Sequence, residues 1–322
     1  MATYILRRLV QTLAVVLILS YVCFYIMTLM PGDPVEMMIA SNPKITSEDV
    51  ARLRELYGLD QPAYKRYLNW ANTIVHGDLG HSRTYRVPVS ELLGPRLWNT
   101  FFLSMASLVL SLLIAFPLGV YTALKPGGWL DSTVNMLAFI GISMPSFLLG
   151  LLLIIYFSVM KGWLPAGGTE TIGLNETGFA YLLDRGKFLI LPILSLSIQE
   201  IGSFVRYARG SMLEVMRLDF IRTAKAKGLS RHVVIWKHAF RNALIPMITI
   251  VALSLSTIFS GALLTETVFA YQGVGKLVYD SIMGNDFNVA MISFIISVSM
   301  VLVMNLVADI LYGFVDPRIS FE

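Results

Sequence analysis

Six long apolar runs divide the chain, and polar segments separate them. The runs occupy residues 9–30, 101–124, 132–160, 188–207, 243–265 and 289–315. Each has about 20 residues or more, the length that an α-helix needs to cross a hydrocarbon layer roughly 30 Å thick. The pattern therefore predicts an all-α membrane protein with six transmembrane helices.

Proline and a basic N-terminus refine that prediction. Proline occurs within four of the runs, at Pro117, Pro145, Pro192 and Pro246. Bilayer helices accept proline, with a kink, when neighbouring groups satisfy the freed carbonyls. The first run follows Arg7 and Arg8 as in a signal peptide, but it exceeds the roughly 7–15 apolar residues of such a segment and no A-x-A site follows. We expect it to remain as the first membrane helix.

The polar segment 31–98 predicts two short amphipathic helices. Thr46 and Asp49 match a capping box, apolar residues follow at helical spacing, and Gly58 ends that run. A second apolar stripe, spaced i, i+3, i+4 and i+7, starts at Tyr64. We interpret the segment as a helical cap outside the membrane; helices that lie flat on the membrane surface are the alternative.

The basic residues predict the orientation, because cytoplasmic loops retain lysine and arginine near helix ends. Arg7 and Arg8 place the N-terminus inside. The end of the fourth run and the segment that follows it up to the fifth run carry nine cations against two acids, namely Arg206, Arg209, Arg217, Arg222, Lys225, Lys227, Arg231, Lys237 and Arg241 against Glu214 and Asp219. With six spans, both termini of this multi-pass protein are expected to be cytoplasmic.

These predictions divide the chain into three parts. The first transmembrane helix covers 1–30, the external cap segment covers 31–98, and a five-helix core covers 99–322 with a cytoplasmic loop at 208–242.

The composition supports a membrane protein and excludes several other classes. The 322 residues are 56% hydrophobic and only 14% charged, against about 25% charged in an ordinary soluble domain. The net charge of +4 is concentrated in one loop, which favours a membrane protein over a nucleic-acid-binding protein. Cys23 is the only cysteine and the four histidines are scattered, so we expect no disulfide and no metal site.

The basic loop contains an amphipathic segment, LEVMRLDFIRTAKAKG, at residues 213–228. Its apolar residues fall mainly on one helical face and its cations mostly on the other. Such a helix needs a partner. From the pattern alone, the partner is either another protein or the anionic headgroups of the membrane surface.

At this segment the sequence resembles the permease subunits of ATP-binding-cassette importers. Their cytoplasmic signature is Glu-Ala-Ala, three residues, Gly, nine residues, Ile-x-Leu-Pro. Here Ala224 and Gly228 match it, whereas Arg222, Thr223 and Arg241 replace the glutamate, the first alanine and the proline. The strings RTAKAKGLS and HAFRNALIP, which begin at residues 222 and 238, look like the variant found in oligopeptide, dipeptide and nickel permeases.

Four further motifs agree with that family in the expected order. They are Pro31-Gly-Asp-Pro34, Gly77-Asp-Leu-Gly80 with Ser82, Glu266-Thr-Val-Phe269 and Asp316-Pro-Arg318. The resemblance covers almost the whole chain and is closest to the first of the family's two permease types. Gln272 and Asn288 stand where the family usually has proline.

The resemblance implies a type I ABC importer permease fold and a set of partners. These are a second related permease, two cytosolic ATP-binding subunits and an external solute-binding protein. It implies that the loop helix docks into a groove of an ATPase through Arg222, Thr223, Ala224, Lys225, Ala226, Lys227 and Gly228. We expect Ala224 to offer a small contact there and Gly228 a helix stop and a close approach.

No catalytic motif accompanies these features, so we expect a non-enzymatic chain without a cofactor, the ATP and Mg belonging to the partner subunits. Gly273-Val-Gly-Lys276 resembles part of a phosphate-binding loop, but Ala270 and Leu277 occupy the positions of its first glycine and its hydroxyl residue. We interpret it as an ordinary loop.

Polar residues inside the apolar runs are candidates for the translocation path, because burying them in a bilayer is costly. They are Gln199, Glu200, Asn305 and Asp309. Pairing between helices is the alternative, with Asp309 meeting Arg206 or Arg209. The small polar residues Ser254, Ser256, Thr257, Ser260 and Gly261 suit close helix packing or a hydrated path.

Two other functions compete with an importer permease. A secondary transporter or channel would need an ion relay through the spans, for which Glu200 and Asp309 are sparse. A membrane enzyme would need a catalytic constellation, which the sequence does not show. The substrate stays open among peptides, glutathione, nickel chelates and sugar conjugates, with peptide as the commonest case.

Overall fold

The computed structural model describes residues 2–29, 39, 46–56, 58–173, 177–256, 258–259 and 262–315. Within these ranges the chain is helical, and strand pairing is confined to an isolated bridge between His81 and Pro88. The all-α prediction is therefore confirmed.

Twelve helices follow one another along the described chain. They are α1 (Ala2–Thr28), α2 (Ser47–Leu56), α3 (Ala63–Val75), α4 (Val89–Leu124), α5 (Trp129–Ser143), α6 (Ser146–Met160), α7 (Phe179–Val215), α8 (Asp219–Ala226), α9 (Arg231–Ser256), α10 (Leu263–Val268), α11 (Val274–Met283) and α12 (Phe287–Val315). The segments Ile154–Met160 and Val233–Phe240 have π-helical geometry.

The six predicted spans correspond to five long apolar helices and one bent pair. Helices α1, α4, α7, α9 and α12 are each long and apolar enough to cross a membrane. The third predicted span, 132–160, is instead broken into α5 and α6, which meet at an angle of 100°. Pro145 explains the break, because it lacks an amide hydrogen and forces Met144 into an extended conformation with ψ of 120°.

The helix of the fifth predicted span both begins and ends earlier in the sequence than the predicted run 243–265, since it covers Arg231–Ser256. Thr265 lies in the separate helix α10. The hydroxyl of Ser254 donates to the carbonyl of Ile250, and that of Ser256 donates to the carbonyl of Leu253. Such local bonds compete with helix propagation. Thr257, Ser260 and Gly261 lie outside the described residues.

The chain forms two compact units. One unit comprises Ala2–Pro95 and Leu277–Ser299, and the other comprises Arg96–Lys276 with the residues from Met300 onward.

In the unit formed by Ala2–Pro95 and Leu277–Ser299, both predicted amphipathic helices are present. Thr46 and Asp49 form the capping box, since each backbone amide donates to the other side chain, at 3.0 and 3.3 Å. The hydroxyl of Thr46 also donates to Asp49 at 2.7 Å, and this bond, followed by the one from the amide of Thr46, holds the pKa of Asp49 below its ordinary value. Gly58, with φ of +62°, follows α2. Helix α3 packs against α1, where the hydroxyls of Ser20 and Tyr67 lie 2.7 Å apart.

In the other unit, small residues let α7 pack closely against α4 and α5. A Cβ added at Gly119 on α4 would collide with Ala208, and one added at Gly202 would lie 2.6 Å from the carbonyl of Ala138 on α5. Membrane helices commonly pack through such small residues, because backbones can then approach closely. Helix α7 is thus packed along both neighbours.

Candidate functional site

The loop helix α8 is eight residues long, and charged residues and a glycine mark its two ends. Asp219 lies in its first turn and Lys225 in its last, which suits the helix dipole. Gly228, with φ of +72°, follows it and lets the chain turn away. A Cβ at Gly228 would meet no atom of this chain within 4 Å, so the glycine is explained by its backbone conformation.

One face of α8 is buried within the chain itself. Ile221 is 0% exposed and Ala224 is 6% exposed. They belong to an apolar cluster built from three long helices, namely Val120 and Ala123 of α4, Ala208, Met212 and Val215 of α7, and Val234, Ile235, Ala239, Ala243 and Met247 of α9. The loop helix is therefore fastened to the ends of α4, α7 and α9.

The burial of Ala224 corrects one detail of the sequence interpretation. Ala224 was expected to present a small surface to a partner, but it faces the chain's own apolar cluster. An alanine suits both a contact with a partner protein and burial within the chain, and only the fold distinguishes these two situations. The outward face instead contains Asp219, Arg222, Thr223 and Ala226, all exposed. Arg222 pairs with Asp219 at 3.2 Å on that face.

The remaining residues of the predicted docking segment are also accessible. Lys225, Lys227 and Gly228 are exposed. The residues 238–241, which the sequence placed in the loop, lie within α9. The polar connection around α8 is thus shorter than the predicted 208–242, because α7 continues to Val215 and α9 begins at Arg231.

A buried ion pair that sequence reasoning missed joins α5 to α7. Arg209 donates from Nε and from a terminal nitrogen to the two carboxylate oxygens of Asp131, at 2.6 and 2.8 Å. Asn135 and the amide of Gly127 donate to the same carboxylate. Asp131 is 4% exposed. The partners are 78 residues apart, so no local sequence pattern links them.

The predicted path residues lie in different surroundings. Glu200 is half-buried and accepts hydrogen bonds from Ser107 at 3.3 Å and from Ser111 at 2.8 Å, both on α4. Gln199 and Asn305 are exposed, and Asp309 is half-buried. The structure therefore joins Glu200 to two serines that the sequence analysis had not selected.

The suggested partners of Asp309 are engaged elsewhere. Arg209 pairs with Asp131, and the guanidinium of Arg206 lies 4.6 Å from the ring centre of Phe139. Pairing of Asp309 with either arginine stays a prediction.

Glu266, from the motif at 266–269, is a fully buried carboxylate. The hydroxyl of Thr100 donates to it at 2.5 Å and the amide of Lys276 at 2.9 Å. Burial raises the pKa of Glu266, although these hydrogen bonds oppose the rise. The amide of Val274 donates in turn to the hydroxyl of Thr100. The carboxylate therefore holds the loop 269–276 against α4.

This arrangement involves the two glycines and the last backbone amide of the apparent phosphate-binding motif. A Cβ at Gly273 would collide with the carboxylate of Glu266, and one at Gly275 would lie 3.0 Å from it. The backbone amide of Lys276 already donates to that carboxylate. A phosphate in this loop would meet a buried acid, which supports the interpretation of 273–276 as an ordinary loop.

Ser82, from the motif at 77–82, and the residues at the two expected proline positions take part in polar contacts. Ser82 is buried and donates to Asp286 at 2.6 Å. Asn288, at a position where proline was expected, donates to the carbonyl of Leu79 at 2.9 Å. At the other such position, the backbone carbonyl of Gln272 accepts from Asn99 at 2.8 Å. The motifs at 31–34 and 316–318 lie outside the described residues.

Among the residues that the structure describes, no group of three histidine, cysteine or acidic side chains is arranged to hold an ion.

Comparisons with known proteins agree with this architecture. The model of the family "Binding-protein-dependent transport system inner membrane component" matches residues 115–321, and the model of that family's N-terminal region matches residues 1–90. The chain is 41% identical over 322 residues to the oligopeptide transport system permease protein AppB of Bacillus subtilis, with all of both chains covered. It is 36% identical over 339 residues to the dipeptide transport system permease protein DppB of Escherichia coli K12, again with full coverage.

A solved structure shows the same fold at low sequence identity. A chain of the inward-facing MetNI methionine ABC transporter aligns with a TM-score of 0.56 and 20% identity, covering 70% of the present chain and 97% of that chain. The fold is therefore that of a type I ABC importer permease. By its family models and its relatives, the chain belongs to the binding-protein-dependent transport system inner membrane components.

Proposed function

We propose that this chain forms half of a pathway that carries peptides across the bacterial inner membrane, and that α8 couples it to cytosolic ATPases. The chain is a non-catalytic, multi-pass permease subunit of an ATP-driven, binding-protein-dependent importer. The peptide substrate is supported by the two relatives named for oligopeptide and dipeptide transport.

The observation that carries the coupling role is the two-sided packing of α8. Ile221 and Ala224 bury one face among α4, α7 and α9, while Asp219, Arg222, Thr223 and Ala226 leave the opposite face open. Because packed interiors have low compressibility and transmit strain, a partner that moves the open face also displaces the ends of three long helices. This is the geometry that a mechanical link requires.

The proposed assembly contains four kinds of subunit. A second related permease completes the pathway, two ATP-binding subunits supply the energy, and an external solute-binding protein delivers the peptide. ATP and Mg bind to the ATPases, and this chain carries no cofactor of its own. The exposed cations of α8 favour an acidic groove on the ATPase.

The proposed orientation follows from the basic residues. Arg7 and Arg8 at the start of α1, together with the cations between α7 and α9, support a cytoplasmic location for both termini and α8. Helices α2 and α3 then lie outside.

A substitution on the open face tests this proposal without disturbing the buried face. Ala226→Trp places a large ring where the ATPase is expected to dock, whereas Ala226→Ser keeps a small side chain and is the matched control. Overpacking of an interface costs about 1–3 kcal/mol, which lowers the docked population by roughly five- to a hundredfold. We expect Ala226→Trp to lose co-purifying ATPase and binding-protein-stimulated ATP hydrolysis, while Ala226→Ser retains both.

Two results would contradict the proposal. Full ATPase recovery and full uptake with Ala226→Trp would exclude docking at this face. Gradient-driven uptake by the purified chain without any ATPase would replace the importer by a secondary transporter.

A further inference from the structure

Glu200 is an acid within an apolar helix, and the described chain supplies no cation to pair with it. The residue lies in the apolar run 188–207, seven residues before the end of that run. Its side chain contacts the hydroxyls of Ser107 and Ser111, and no lysine or arginine of the described ranges forms an ion pair with it. Ionisable groups in membrane helices are costly and are almost always paired. This acid therefore calls for a cation from outside the chain.

The two serines satisfy only part of the hydrogen-bonding capacity of Glu200. Both hydroxyls donate to the same carboxylate oxygen, Oε2, at 3.3 Å from Ser107 and 2.8 Å from Ser111. The single hydroxyl hydrogen of Ser111 has two further acceptors in reach, the carbonyls of Ser107 at 2.7 Å and Ser197 at 3.3 Å. The other carboxylate oxygen, Oε1, accepts no hydrogen bond from the described residues and is accessible. Because a carboxylate can accept about four hydrogen bonds, Glu200 keeps an open acceptor.

The face of α7 beside Glu200 is polar. Between residues 191 and 210, the exposed residues of α7 are Gln199, Arg206, Tyr207 and Gly210. Spacings of seven, eight and eleven residues place them on one side of the helix. On α4, by contrast, every exposed residue between 101 and 116 is apolar. Since lipid chains cannot satisfy polar groups, the apolar face of α4 suits lipid, whereas this face of α7 suits water or protein.

A peptide carries the group that complements the open oxygen of Glu200. Its α-ammonium group is mostly protonated at neutral pH. Such a group has hydrogen-bond donors and no acceptor, whereas an ionised carboxylate has acceptors and no donor. A hydrogen bond between the two is charge-assisted and roughly twice as strong as one between neutral groups. The two serine hydroxyls hold the carboxylate from the side of α4 and leave Oε1 to the ligand.

We propose that Glu200 binds the α-ammonium group of the transported peptide, with Ser107 and Ser111 as positioning residues. The proposal rests on the proposed function, because it takes peptides as the substrate. Peptides with a free N-terminus share this group whatever their side chains. Glu200 therefore selects for the N-terminus and is indifferent to the rest of the peptide sequence.

The experiment measures how well a peptide protects a cysteine beside Glu200 from labelling. The chain carries Cys23→Ser and Ser203→Cys, since position 203 is half-buried on α7 and lies three residues from Glu200, on the adjacent turn. The purified complex in nanodiscs, without binding protein, is labelled with a neutral maleimide in the presence of trialanine or Nα-acetyl-trialanine. The test variant is Glu200→Gln. The matched control is Glu214→Gln, which removes the same charge from an exposed position on the same helix, 14 residues away.

We expect trialanine to protect the cysteine, and the acetylated peptide, which lacks the ammonium group, to require about tenfold higher concentration. Glu200→Gln should weaken protection by trialanine roughly tenfold, the lower end of the range for a hydrogen bond to a charged group. Protection by the acetylated peptide should change by less than about twofold in this variant. Glu214→Gln should leave both peptides within about twofold. Glu200→Asp keeps the charge and should retain part of the preference for trialanine, which separates loss of charge from loss of folding.

Several outcomes would overturn the proposal. They are equal protection by the two peptides, no protection by either peptide, and unchanged protection by trialanine in Glu200→Gln. A cysteine at 203 that never reacts would show that this face is closed to ligands. Loss of the second permease from the Glu200→Gln complex would show that a cation of that subunit pairs with Glu200.

A parallel assay separates this proposal from the proposed function. It measures ATP-driven uptake of dipeptides and tripeptides by the unmodified complex with its binding protein. Absence of uptake would overturn the proposed function. Uptake together with any of the failures above would overturn only the role of Glu200.

Discussion

Replacing Ile221 by alanine should release α8 from the helices beneath it while leaving its open face unchanged. Ile221 is 0% exposed and lies in the apolar cluster of α4, α7 and α9. An eight-residue helix is too short to be stable alone in water. The position of α8 therefore depends on Ile221 and Ala224, its two buried side chains.

The magnitude follows from the three carbon atoms that the substitution removes. At about 0.8 kcal/mol for each buried methylene, the transfer free energy lost is about 2.4 kcal/mol. The cavity left behind adds to this, so the total is about 3 kcal/mol, within the range of roughly 2–5 kcal/mol for isoleucine-to-alanine changes in cores. The packed state of α8 then becomes about a hundredfold less populated relative to the released state. Ile221→Val removes one methyl and should cost only about 0.5–1.5 kcal/mol.

Two measurements check this prediction. The backbone amides of residues 223–229 should exchange hydrogen much faster in Ile221→Ala and slightly faster in Ile221→Val. One of them is the amide of Lys227, which donates to the carbonyl of Thr223 at 3.0 Å. Binding-protein-stimulated ATP hydrolysis in reconstituted vesicles should fall in the same order. Unchanged exchange would show that Ile221 does not hold α8. Faster exchange with unchanged stimulation would show that α8 does not transmit the coupling.

Three further predictions concern the buried polar groups. Gly273→Ala should lower the free energy of unfolding of the purified chain by about 1–3 kcal/mol, because the added Cβ would collide with Glu266. An unchanged melting temperature would contradict this packing. Asp131→Asn should cost about 2–3 kcal/mol by leaving Arg209 without its counter-charge, and Arg209→Gln in the same chain should recover part of this loss. Because the pKa of Glu266 is raised in the folded chain, this residue stabilises the fold most at pH values below its ordinary pKa of 4.5. This stabilisation declines as the pH rises toward the folded-state pKa. Glu266→Gln should therefore flatten the dependence of the melting temperature on pH. If the dependence is unaltered, groups other than Glu266 cause it.

Local patterns predicted much of the helical framework. The apolar runs located the long helices, the pair Thr46 and Asp49 marked the start of α2, and Gly228 marked the end of α8. Each of these signals acts between residues that are close in the sequence, where spacing along a helix determines contact.

Tertiary contacts decided what the sequence did not predict. Four runs contain proline, but only Pro145 breaks its helix; Pro117, Pro192 and Pro246 lie within continuous ones. The contacts of Asp131 with Arg209, and of Thr100 with Glu266 across 166 residues, depend on the packing of whole helices. Ala224 was expected to contact the ATPase because a small side chain suits a tight external contact and a tight internal one equally well.

The close fit of Glu266 against Gly273 and Gly275 has an evolutionary consequence. The carboxylate occupies the space that a side chain at 273 would need, so positions 266 and 273 share one volume, whereas an added Cβ at 275 would first meet the Cα of Leu263 at 2.7 Å. A mutation that adds a methyl group at position 273 is tolerable only if residue 266 has already become shorter, and a shorter residue 266 leaves the amide of Lys276 without its acceptor. An alignment of relatives should therefore show these positions changing together or not at all, with covariation between 266 and 273 stronger than between 266 and its neighbours in sequence.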